Sequence, residues 1–245
     1  MTTGLRLFPA LPDSRPASYQ DHSLEDDQVK MLTQVGQRAH LRAQIKLSLT
    51  NLLSEKETNK LLLEPDITTP LGIRNRAIIE LLYATGVRNS ELREMLLGEI
   101  DLDRKELFVA KGKGGKSRRL PLGEEAAACL EDYLSNSRPY LAGPTSGEVV
   151  FLSCGGHKLT RGKLSLMVRE VAEACGLDKL VTPHLLRHAC ATHMLRRGAG
   201  IRQLQVLLGH SELSTTQRYT RIEIGDLHKV VSQFHPRERG FDGEA

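Results

Sequence analysis

Residues 106–122, ELFVAKGKGGKSRRLPL, decide what kind of fold this chain can build. Two short apolar runs, ELFVA at 106–110 and RRLPL at 118–122, flank a centre rich in glycine and lysine. Runs of that length around a glycine-containing link predict a β-hairpin with its basic residues at the turn. A further run, EVVFLS at 148–153, predicts a third strand. Outward from the hairpin the apolar spacing is helical. A capping box at Ser54 and Glu57 leads into LLL at 61–63, and further helices are expected at about 72–84, 90–97, 124–138, 160–175, 183–197, 200–208, 214–222 and 226–234. The expected class is mainly α with a small three-stranded antiparallel β-sheet (α+β).

The chain has 245 residues, of which 40% are hydrophobic, enough for one good core and a small appendage. Cys129, Cys154, Cys175 and Cys190 are scattered and form no C-x-x-C pair, and the first residues lack the pattern of a secretory signal, so a cytoplasmic location is expected. No apolar stretch approaches the roughly 20 residues that a membrane-spanning helix needs. The 34 basic against 30 acidic residues permit a nucleic-acid partner without establishing one, so local clustering has to decide. In KGKGGKSRR, 111–119, five of nine residues are basic and none is acidic. Lys111, Lys116 and Arg118 are candidate contacts to DNA phosphate. With no Trp and only ten aromatic residues, stacking on single strands is disfavoured. Residues 1–27, with three prolines and an acidic patch, read as a flexible arm, and 28–53 as a short helical segment.

Residues 182–193, TPHLLRHACATH, raise the question of chemistry. Thr182 followed by Pro183 predicts a helix start, with a hydroxyl cap and proline at the first helical position. At about 100° per residue His184, Arg187 and His188 share one face, while His193 and Cys190 fall on the apolar side and read as core. His184 and His188 have the i, i+4 spacing of a zinc pair. However, the general-base glutamate of H-E-x-x-H is missing, and Arg187 sets a permanent cation between them. The favoured functional reading is an oxyanion or phosphate site: free N–H groups at a helix start, beside the planar fork of an arginine. A purely structural helix is the other.

Downstream, in LLGHSELSTTQRYT at 207–220, Gly209 reads as a helix cap, His210 falls on the following loop, and Ser214 with Gln217 opens a short helix carrying Tyr219. Upstream, ATGVRNSEL sets Arg88 between a glycine break and a new helix. Taken with the hairpin, these pieces resemble the tyrosine recombinase, or phage integrase, family, most closely its Xer-type members, from about Ser54 to Pro236. Arg88 matches the family's first arginine, Lys113 its hairpin lysine, and His184 with Arg187 its H-x-x-R. His210 matches the next histidine and Tyr219 the nucleophile. Each fragment is weak alone; six residue types in order, in matching contexts, are specific.

The resemblance implies that 54–236 is a tyrosine recombinase catalytic domain, with 237–245 as a tail. It also implies that catalytic Arg88, Lys113, His184, Arg187, His210 and Tyr219 cleave and rejoin double-stranded DNA through a 3′-phosphotyrosyl intermediate. No cofactor, ATP or metal is then required. A homotetramer, or a heterotetramer with a related recombinase, would act on two DNA sites in the nucleoid. The segment GDLHKVVSQFHPR, 225–237, looks like the family's terminal helix, which docks into a neighbouring subunit. Its apolar residues could equally cover their own core. Typical members carry an N-terminal domain of roughly 100 residues. The shorter leader here suggests a naturally minimal recombinase, similar in plan to the fimbrial phase-variation invertases, ahead of a truncated remnant. Rival functions are a type IB topoisomerase and an accessory DNA-binding protein that no longer recombines.

Overall fold

In the computed structural model of the chain, which describes residues 52–110, 117–209 and 223–241, Ser54 opens the first helix as its capping box predicts. The Glu57 N–H donates to Ser54 Oγ at 3.2 Å and the Ser54 N–H to Glu57 Oε2 at 2.7 Å. Helix α1 spans Glu55–Leu63, and its Leu61 and Leu62 are fully buried. The expected arm at 1–27, nearly all of the segment at 28–53 and the helix at 214–222 lie outside the described residues.

Helix α2, Pro70–Thr85, starts with Thr69 as cap and Pro70 in its first turn. From Ala77 to Thr85 every residue is buried, the signature of a helix surrounded on all sides. It is the central element, packed against α1 and against the later helices Glu124–Asp132 and Pro183–Arg196. Gly86 ends it with φ 59°. Helix α3, Asn89–Glu94, follows, and then a single 3₁₀ turn, Leu97–Glu99.

The hairpin forms as expected, from β2 (Glu106–Val109) and β3 (Arg118–Pro121). Leu107 pairs with Leu120 on the buried face, while Phe108, opposite Arg119, points outward. The third strand does not come from 148–153. It is β1, Ile100–Asp101, antiparallel to β2, giving the order β1-β2-β3. Within 148–153 only Val149 and Leu152 make single bridges. The reason is competition from side chains. The Tyr133 hydroxyl donates to Val150 O at 2.9 Å and accepts from Leu152 N at 3.2 Å, and Arg138 donates to the Val149 and Val150 carbonyls. Val150, Phe151 and Leu152 are buried without a ladder.

Helix α4, Glu124–Asp132, runs through a π turn, Tyr133–Ser137, into α5, Arg138–Leu141, where a single helix was expected. Pro139 has no N–H and its ring crowds the preceding turn, which the wider π spacing relieves. Helices α6 (Arg161–Ala174), α7 (Pro183–Arg196) and α8 (Ile201–Leu208) complete the body. Among the described residues no helix is long and apolar enough to cross a membrane.

Helix α9, Ile224–Phe234, buries Leu227, Val230 and Val231 and packs against β3 and α8 of its own chain. A short α10, Pro236–Arg239, follows, and the expected tail at 237–245 is anchored as far as Phe241. Arg237 donates to Glu80 at 2.8 Å and to Glu125 at 3.1 Å, and Phe241 stacks near Tyr83. His235 is buried, with Nε2 against the Tyr83 carbonyl and Nδ1 accepting from the Arg237 N–H at 3.2 Å. Burial pushes its imidazole pKa down to about 3.

Candidate active site

Two glycine-capped helix ends create the site. Gly86 closes α2 and Gly209 closes α8, both with positive φ, and a Cβ on Gly86 would lie 2.6 Å from Leu208 Cδ2. The carbonyls at such ends have no partner within their own helix, and the helix dipole makes them attractive to cations. Two arginines supply the cations. Arg187 projects from the first half of α7, buried to 8% exposure. Its Nη1 donates to the Gly86 carbonyl and its Nη2 to Leu208 O at 2.7 Å. Burial, followed by the charge of Arg88, lowers its pKa to about 10, which leaves it protonated at neutral pH.

Arg88 sits immediately before α3. Its Nη2 donates to Gly209 O at 2.9 Å and its Nη1 to Glu91 Oε1 at 2.7 Å. Glu91 also accepts the Arg88 backbone N–H at 2.8 Å, completing the first turn of α3. The same carboxylate takes both ends of Arg118, Nη1 to Oε1 and Nη2 to Oε2, each at 2.8 Å. Burial alone would raise the Glu91 pKa, but hydrogen bonds from Arg118 and Arg88, with the charge of Arg118, outweigh it and bring it to about 2. Arg118 begins β3, so the hairpin is tied to α3 through this pair.

His184 lies exposed in the first turn of α7, where Thr182 Oγ1 accepts the Leu185 N–H at 3.2 Å. It precedes Arg187 by less than one turn. His188, also at the surface, has its pKa lowered by the protein around its ring and then by His184. Among the described residues no third metal-ligating side chain joins them. His193 is core: its Nε2 bonds Leu53 O at 2.9 Å and its Nδ1 meets the Tyr83 hydroxyl at 2.9 Å. The two bonds imply an Nε2-protonated ring accepting from Tyr83. Cys190 is fully buried and its thiol pKa is pushed up to about 12 by burial.

Of the residues singled out in the sequence, the structure brings Arg88, Arg187 and Arg118 together and puts His184 on the same α7 turn as Arg187. Lys111, Lys113, Lys116, His210 and Tyr219 lie outside the described residues. In the sequence, Gly209, whose carbonyl accepts from Arg88, directly precedes His210, and the strands ending at Val109 and beginning at Arg118 flank the segment that contains Lys113. Sequence reasoning missed Glu91. Its signal was an acidic residue three positions after Arg88, the capping-box spacing. Arg118, expected at phosphate, faces inward with its side chain 12% exposed.

Residues 51–224 match the phage integrase family. The chain is 42% identical over 191 residues to a tyrosine recombinase XerD of Listeria innocua serovar 6a, covering 78% of this chain and 64% of that protein. It is 37% identical over 237 residues to a tyrosine recombinase XerD of Yersinia pestis, covering 96% of this chain and 76% of that one. The chain thus spans just under two thirds of the length of the Listeria relative. Among solved structures it superposes on the XerA recombinase with TM-score 0.59 and 32% identity, covering 74% of this chain and 64% of that chain. It also superposes on XerH bound to difH substrate in a pre-cleavage complex, with TM-score 0.57 and 26% identity, covering 74% of this chain and 54% of that chain. The mainly helical fold with its small antiparallel sheet is the fold of tyrosine recombinase catalytic domains.

Proposed function

Because the chain belongs to the phage integrase family, we propose that it is a site-specific DNA recombinase that cleaves and rejoins strands through a covalent 3′-phosphotyrosyl intermediate. The observation that carries this reading is the meeting of Arg88 and Arg187 at the end of α8, one residue before His210. Each guanidinium uses two of its five N–H donors on the contacts described above, and a phosphate could engage the others.

A phosphodiester resists attack because its anionic oxygens repel the nucleophile, so positive charge held in place must offset the charge that grows in the transition state. Arg88 and Arg187 supply it, with His210 donating to a nonbridging oxygen. The Tyr219 hydroxyl oxygen attacks phosphorus and gives its proton to His184. The bond from phosphorus to the 5′-oxygen breaks, and Lys113 protonates the departing oxygen. The 5′-hydroxyl of a partner strand then reverses these steps. The phosphotyrosine conserves the energy of the diester, so neither ATP nor metal enters. Lys111 and Lys116 contact flanking phosphates. Four protomers, identical or shared with a related recombinase, assemble on two double-stranded sites on nucleoid DNA in the cytoplasm.

The test uses a pool of end-labelled duplexes with a central nick and randomised arms, from which denaturation-resistant protein–DNA adducts are recovered. Adducts that survive EDTA and vanish in Tyr219→Phe are expected. An adduct that needs divalent metal, or that Tyr219→Phe still forms, refutes the mechanism. Strand exchange between two recovered sites distinguishes recombination from relaxation.

A further inference from the structure

Arg118 has an environment unlike that of a phosphate contact. Both ends of its fork are committed to Glu91 at 2.8 Å, on a carboxylate that is itself 3% exposed. Its Nε is buried and has no hydrogen-bond partner among the described residues. The guanidinium lies flat against Gly209: a Cβ there would fall 2.9 Å from Arg118 Nε and 3.0 Å from Cδ and Cζ. Gly209 in turn gives its carbonyl to Arg88. Arg118 therefore touches both partners of Arg88, the carboxylate and the end of α8, and it enters from the hairpin.

We propose that Arg118 is a positioning residue that shares Glu91 with Arg88 and so keeps Arg88 available to the scissile phosphate. This rests on the recombinase reading above. Without Arg118, Arg88 would be the sole cation among the described residues paired with the nearly buried Glu91, and the carboxylate would draw the Arg88 fork onto itself. With Arg118 bound, each oxygen of Glu91 already holds one arm of a second guanidinium. Arg88 keeps a single side-chain bond to Glu91 and one to Gly209, and positive charge remains in excess. The same contact makes the base of the Lys113 hairpin part of the site's frame.

The experiment compares wild type, Arg118→Ala, Arg118→Lys, Glu91→Gln and the Arg118→Ala/Glu91→Gln double variant. The probe is a nicked duplex recovered from the randomised pool with wild type. Three quantities are read: the adduct rate at saturating DNA, the Kd, and the slope of log Kd against log salt. Arg118→Ala is expected to slow adduct formation by roughly 10- to 100-fold, the scale of a small misplacement of a reacting group. Kd and salt slope should stay at wild-type values. In the Glu91→Gln background, where no carboxylate competes for Arg88, the same substitution should have little effect on rate. A lysine keeps a cation beside Glu91 but cannot engage both oxygens, so Arg118→Lys should not give the full rate.

A phosphate contact gives the opposite pattern: weaker binding, a salt slope reduced by about 1, and an unchanged rate at saturation. That result, an unchanged rate, or equal effects in both backgrounds overturns the proposal. Should Arg118→Ala fail to fold, Arg118→Lys decides: a slower rate at unchanged Kd supports the role, and a wild-type rate removes it. If wild type recovers no adduct at all, the recombinase reading fails and takes this proposal with it.

Discussion

Replacing Glu91 by glutamine tests the charged cluster through its linkage to pH. The Glu91 pKa falls from an ordinary 4.5 to about 2 in the fold. A shift of that size corresponds to about 3 kcal/mol of stability held by the ionised form, at about 1.4 kcal/mol per pH unit. The sign follows from the direction. With a depressed folded pKa, the contribution is fully present above 4.5 and is lost as pH falls through the window down to about 2. At pH 7 Glu91→Gln should therefore be less stable than wild type by about 3 kcal/mol, because two cations lose their shared counter-ion. By pH 3.5 the gap should have closed by about 1.4 kcal/mol, since wild type alone takes up the proton. Urea unfolding followed by circular dichroism between pH 7 and 3.5 measures both numbers, and other carboxylates cancel in the difference. A gap that stays constant over that range would show that Glu91 does not carry the linkage.

Three further substitutions test other parts of the structure. Gly209→Ala places a side chain at φ 67° and against Arg118, which should cost about 1–2 kcal/mol from the backbone alone and lower Tm by several degrees; an unchanged Tm would mean that neither the left-handed backbone nor the close Arg118 contact holds there. Tyr133→Phe leaves Val150 O without its hydroxyl donor and Leu152 N without its acceptor in a buried segment, a loss of about 1–3 kcal/mol in urea unfolding. A loss under about 0.5 kcal/mol would instead fit a segment held by a β ladder. His235 must stay neutral to keep its contacts, and its pKa of about 3 lies below the ordinary 6.5. Stability should thus fall by about 1.4 kcal/mol per unit as pH drops below 6.5, and His235→Gln should flatten that slope in thermal melts from pH 7 to 4.5; an identical slope in the variant would refute it.

What the sequence made legible was local. The hairpin, the Ser54 box, Thr182 before Pro183 and the glycines at 86 and 209 are short-range signals, and each sits where its chemistry predicts. His193 and Cys190 were readable as core because helical periodicity alone sets their face. The strand at 148–153 was not readable. Its apolar pattern fits burial of any kind, and only tertiary structure shows that Tyr133 and Arg138 take the backbone groups a ladder would use. The partner of Arg118 was unreadable for a related reason: a guanidinium suits a phosphate and a carboxylate equally, and Glu91 lies 27 residues away in sequence. Arg187 shares a helical face with His184, yet its partners at Gly86 and Leu208 come from other helices, so its burial is invisible in its own segment. The terminal helix α9 packs on β3 and α8 of its own chain, contacts that its apolar spacing does not specify.

The oxygens that Arg187 and Arg88 hold at Gly86, Leu208 and Gly209 all belong to the backbone. They form a solvation shell that the fold itself provides, one that no side-chain substitution on those three residues deletes outright. Water around a guanidinium must reorient each time a neighbouring charge changes, whereas peptide dipoles locked at two helix ends are already oriented. Polarity thus comes with rigidity at this spot, and little reorganisation energy remains to be spent when an anion arrives.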